Sequence, residues 1–119
     1  MKAILLLLTV LLIAITSTAQ AQFVAGQHLK DIRTPYIQIM GRSRFLSDKV
    51  DIYIDFGQAG SVQWAQKKLV DANGKHIIFN SMMDAMNYVS EWGYEFKTAY
   101  AFAVGNQSVY HYLMVRKEK

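Results

Sequence analysis

The amino-acid sequence predicts an α+β domain, an antiparallel sheet of about five to six strands with one α-helix (about 82–92) packed on one face. Three observations carry the prediction. Apolar and polar residues alternate strictly through Val50-Asp51-Ile52-Tyr53-Ile54-Asp55-Phe56. The period becomes helical after Ser81. Two segments of matched length, rich in aromatic and β-branched residues, flank Gly105-Asn106-Gln107-Ser108 near the C-terminus.

The first 21 residues precede that domain and read as a cleavable secretory signal peptide. Met1 and Lys2 form a positive start, Ala3 to Ile15 an almost unbroken apolar run, and Ala19 and Ala21 fit the A-x-A pattern of signal peptidase. Cleavage is expected after Ala21, with Ala19 as the second choice. The apolar run spans only about 20 Å as a helix, against about 30 Å of bilayer hydrocarbon, so it is short for a membrane anchor. The expected location is outside the cytoplasm, periplasmic or secreted, with no stable membrane anchor after cleavage.

Residues 22–33 show no clean periodicity and are expected to be loosely ordered or to pack as an N-terminal arm; residues 34–119 form the single domain. Pro35 introduces the first strand, Tyr36-Ile37-Gln38-Ile39-Met40, which Gly41 and Arg42-Ser43-Arg44 are expected to interrupt. Val50 to Phe56 is the clearest strand, with Asp51, Tyr53 and Asp55 on its wetter face. Gly57 and Gly60 end it.

A hairpin is expected where Lys68-Leu69-Val70 and His76-Ile77-Ile78-Phe79 flank Asn73-Gly74, because both turn residues tolerate a positive φ. The helix follows. Ser81 is its N-cap, with Asp84 three residues on; Met82, Ala85, Met86 and Val89 share one face; Gly93 terminates it. Tyr94 to Val104 and Val109 to Arg116 then form the closing hairpin. In uninterrupted alternation, Tyr94, Phe96, Tyr100 and Phe102 lie on one face of the first strand and Ala99, Ala101 and Ala103 on the other. The small face suits close approach of the helix, which leaves the bulky face to be covered by the N-terminal arm, a partner or a second subunit.

Composition excludes several classes of function. The chain has no cysteine, so it has no disulfide, no thiolate metal site, no cysteine nucleophile and no lipid attached through a cysteine. The mature part carries twelve Lys and Arg against nine Asp and Glu, a balance too even to suggest nucleic acid. His28, His76 and His111 show no metal-ligand spacing. Asp51 and Asp55 share a strand face but stand about 13–14 Å apart, too far for a paired acid and base. Gly57-Gln58-Ala59-Gly60-Ser61 is neither a nucleophile elbow nor a phosphate loop. No catalytic, cofactor-binding or metal-ligating residue is assigned.

The helix segment Phe79-Asn80-Ser81-Met82-Met83-Asp84-Ala85-Met86-Asn87-Tyr88-Val89, with Trp92-Gly93-Tyr94-Glu95-Phe96 and the closing aromatic strand, resembles a group of small bacterial domains of unknown function. Their order at the turn is usually Gly-Trp-Glu, whereas Trp92 here precedes Gly93-Tyr94-Glu95. With the signal peptide and Asp55-Phe56-Gly57-Gln58, the whole chain resembles small exported proteins of Bacteroides-type bacteria. The resemblance implies a fold and no activity.

Two functional expectations follow. The first is a non-enzymatic interaction module that binds a protein partner or a second copy through Tyr94, Phe96, Tyr100, Phe102, Tyr110 and Tyr112. The alternative is a binder of a small molecule or envelope component, in a pocket where His76 or His111 meets a carboxylate.

Overall fold

The computed structural model describes residues 22–60 and 64–117; the signal-peptide segment lies outside the described residues. Eight strands and one α-helix follow in the order β1 (Gln22–Val24), β2 (Gln27–His28), β3 (Tyr36–Ser43), β4 (Val50–Asp55), β5 (Val70–Asp71), β6 (Ile78–Phe79), α1 (Met82–Ser90), β7 (Tyr94–Val104) and β8 (Gln107–Arg116). Short 3-10 turns occupy Leu29–Asp31 and Trp64–Lys67. The main sheet is antiparallel with strand order β6-β4-β3-β8-β7, and a small second sheet has the order β2-β1-β5. This is the expected α+β class.

The expected elements form with changes of extent, two of which bear on the packing of the helix. β3 continues through Gly41 to Ser43 instead of stopping at Met40. Glycine there serves packing: a Cβ would overlap the Sδ of Met82, so the missing side chain lets the first turn of α1 settle on the strand. α1 ends at Ser90, two residues early, because its last turn tightens; Glu91, Trp92 and Gly93 donate to the carbonyls three residues back. At the other end the Ser81 Oγ accepts the Asp84 N–H at 3.1 Å, while Asp84 Oδ2 accepts the Asn80 N–H at 3.0 Å. These bonds satisfy donors that a helix start leaves free.

The Asn73-Gly74 turn is present, with Gly74 at φ 78 and the Asp71 carboxylate accepting the N–H groups of Asn73 and Lys75. Its two arms stay paired beside the turn, the Asp71 N–H donating to the Lys75 carbonyl at 2.9 Å and the Ile77 N–H to the Leu69 carbonyl at 3.0 Å, while β5 also pairs with β1 and β6 with β4.

The N-terminal arm is ordered and contributes to the core. Val24, Leu29 and Ile32 are buried with Ile37, Ile39, Ile52 and Ile54 of the sheet and Met82, Ala85 and Val89 of α1. Tyr94 ties arm to sheet, its hydroxyl donating to the Thr34 carbonyl at 2.7 Å. Arg116 lies over the Tyr94 ring and donates to the Ile32 carbonyl at 3.1 Å. Arm and helix therefore cover the same face of the main sheet.

The opposite face is covered only in part. At the β4 end, Trp64 packs edge-on against Tyr53 and beneath the Arg42 guanidinium. This buries Tyr53, which alternation had assigned to the wetter face. Asp51 and Asp55 are half-buried there, Asp55 paired with Lys67 at 3.3 Å and Asp51 with Arg44 at 3.6 Å. At the β7 end nothing among the described residues lies over the sheet.

Candidate functional site

The six aromatic residues do not share one face. β7 and β8 pair Phe96 with Met114 and Thr98 with Leu113, which leaves Lys97 as the extra residue of a β-bulge. One extra residue reverses the alternation. Tyr94 and Phe96 point to the helix side with Met114, whereas beyond the bulge Ala99, Ala101 and Ala103 take that side and Tyr100, Phe102 and Val104 take the other.

Each candidate residue has a definite place as a result. Tyr94 is 2% exposed and belongs to the core, so it is removed from the interaction face. Tyr110 and Tyr112 lie on the helix side, partly buried against the core. Phe96 stands edge-on to Tyr112 with ring centres 5.7 Å apart. Only Tyr100 and Phe102 lie on the uncovered face. The helix does not reach the alanines, which are exposed, because α1 seats on the Tyr94 end of β7.

Tyr100 and Phe102 are 55% and 48% exposed and Val104 is 50% exposed. Strand pairing sets His111 of β8 opposite Tyr100, and its imidazole stacks on both rings, 4.7 Å from Tyr100 and 4.9 Å from Phe102. Gln38 of β3 supports the stack from beneath, its side-chain amide 2.9 Å from both the Tyr100 hydroxyl and His111 Nδ1. With the amide donating to both, Nδ1 is an acceptor and His111 is neutral. Burial, and next the charge of Lys67, lower the His111 pKa and favour the same form.

The sequence names His111 only for a pocket with a carboxylate; its place in the aromatic stack, and Gln38 beneath it, were missed. Their signal was present in the register, since a turn of Gly105 and Asn106 alone pairs Val104 with Gln107 and therefore Tyr100 with His111. Placing the turn over four residues moved that pairing by two.

His76 is the histidine that approaches a carboxylate, with Nδ1 4.0 Å from Asp51 and Nε2 3.0 Å from the Ile52 carbonyl. The pair lies beside the Tyr53 ring, which packs in turn against Trp64. A groove of about 340 Å³ between α1 and β6 is lined by Gln22, Ile77, Phe79, Asp84, Tyr88 and Glu91 among others, and holds no histidine. Burial pushes the Tyr88 phenol up to about 12, opposed in part by the adjacent Trp92 indole. Among the described residues, no three His, Asp or Glu side chains converge as metal ligands do. No described helix is long and apolar enough to cross a membrane. Comparisons with protein-family models, curated proteins and solved structures return no match to this chain.

Proposed function

We propose that the protein is an exported, non-enzymatic interaction module whose contact surface is the outer part of the β7–β8 hairpin. One observation carries this reading. Tyr100, Phe102 and Val104 lie side by side on the uncovered sheet face, about half exposed, on a strand that ends the sheet. Large apolar side chains grouped on a free strand are a costly surface for a protein that has no use for them. The His111 and Gln38 contacts hold the rings in one arrangement before anything binds, which lowers the entropic cost of docking.

Export is part of the proposal. It rests on the N-terminal leader; without cysteine, packing alone holds the core. Gln22 already pairs with Asp71, so cleavage after Ala21 would leave β1 whole. Mass spectrometry of the exported protein is expected to find Gln22 as its first residue. A full-length mass would remove this part of the reading.

The surface is tested by photo-crosslinking in cells, with benzoylphenylalanine at position 102 and, as control, at Met83, an exposed residue of α1. The expected result is a discrete adduct from position 102 and none from position 83. Absence of any adduct from 102 would end the proposal.

A further inference from the structure

Resting on that reading, we propose that the occupant of the β7 edge is a second copy of this chain, its own β7 laid antiparallel about a two-fold axis at Ala101. Two five-stranded sheets then become one.

The free hydrogen-bonding groups fall where this pairing needs them. Val104 and Gln107 close a two-residue turn with Gly105 at φ 60, and such a closing pair exchanges both backbone hydrogen bonds. Counting back in twos, Phe102 and Tyr100 also bond to β8. The N–H and C=O groups of Ala99, Ala101 and Ala103 therefore face the outer edge, where β7 has no neighbour among the described residues.

The devices that usually guard an edge are confined to one end. Glu95, Lys97 and the bulge protect the start of β7, while Thr98 to Val104 contains no charge and no proline. This unguarded segment is nearly symmetric about Ala101, reading Ala-Tyr-Ala-Phe-Ala through its centre. A two-fold there sets Ala101 against Ala101 of the second copy and Ala99 against Ala103, the residues whose backbone groups are free. Tyr100 then meets Phe102 at the closer, non-hydrogen-bonded positions, where aromatic cross-strand pairs are favourable. A two-fold at Ala99 would set Ala101 against the bulged Lys97, and one at Ala103 would set Ala101 against the turn glycine. The Ala101 register gives the longest overlap free of both. No like charges meet in it, and the interface is isologous and closes on itself.

Because the chain lacks cysteine, single thiols report the register. Across a hydrogen-bonded antiparallel pair the Cα atoms lie about 5.5 Å apart, within the usual disulfide range of about 4.4–6.8 Å. Two thiols at position 103 would stand four residues apart along the strands, about 14 Å. Under mild oxidation A101C is expected to form a covalent dimer and A103C to remain uncrosslinked. In sedimentation velocity the unmodified protein is expected to run as a dimer, Ala101→Lys as a folded monomer with unchanged far-UV circular dichroism, and Met83→Lys as a dimer. A monomeric unmodified protein, or equal crosslinking at 101 and 103, overturns the proposal. If the photo-adduct from position 102 then contains a different protein, self-pairing fails while the interaction surface stands; if there is no adduct, both fail.

Discussion

Gly41 sets how closely α1 approaches the sheet, and it does so through the absence of a side chain. Its strand conformation is open to any residue, but the space a Cβ would need is held by Met82. Gly41→Ala is expected to cost about 1 kcal/mol, the low end for overpacking, because the atoms in the way are the far end of the flexible Met82 side chain. In a chain already carrying Met82→Ala the same change should be close to neutral. A double-mutant cycle by urea unfolding measures both, and equal costs in the two backgrounds would show that this contact is not the cause. His111 makes a different statement, about pH. Its folded-state pKa lies below the ordinary 6.5, so below 6.5 the unfolded chain takes up a proton that the folded chain resists. The unfolded state binds more protons there, and stability therefore rises with pH. The contribution is complete above 6.5 and is lost as pH falls from 6.5 through the lower folded value. The urea midpoint of the unmodified protein is expected to fall more steeply below 6.5 than that of His111→Gln; parallel curves would remove this residue from the account.

Among the elements, the bulge in β7 decides the identity of the surface. Lys97 is the single unpaired residue between Phe96 and Thr98, and the ladder on either side is regular. Deleting Lys97 should therefore let the two parts join with every side chain keeping its face, at a cost within about 0.5 kcal/mol, as for a surface change. Retention of the ring-current shifts of His111 from Tyr100 and Phe102 in the NMR spectrum checks it. Their loss would mean that the bulge holds the stack in place. At this scale the sequence was legible where the signal was local. The N-cap Ser81, the apolar face of α1, the Gly93 stop and the Asn73-Gly74 turn each depend on residues within a few positions of one another. The bulge was not, because Glu95-Phe96-Lys97-Thr98 contains no glycine or proline to mark it and its cause is the pairing with β8. Uninterrupted alternation grouped Tyr94 with Tyr100 for that reason.

Over the whole molecule, the two faces of the main sheet have different fates because three segments compete to cover them. α1 and the N-terminal arm share one face, and the Trp64–Lys67 turn takes the β4 end of the other. The arm had no periodicity to announce it, yet Val24, Leu29 and Ile32 complete the core through contacts with residues far along the chain. What remains uncovered is the outer hairpin, at whose edge the long strand β7 has a single neighbour among the described residues. A second β7 would cover it with the same antiparallel pairing that builds the rest of the sheet.

The sequence by itself determined the α+β class, the helix with its caps, the closing hairpin and the absence of thiol chemistry, since each follows from residue type and short-range spacing. Only the tertiary structure decided which aromatic residues face outward, that the arm belongs to the core, and that His111 joins Tyr100 and Phe102. Those outcomes depend on register, and register is set by the pairing of strands distant in sequence: a single extra residue in β7 turns every later side chain to the other face.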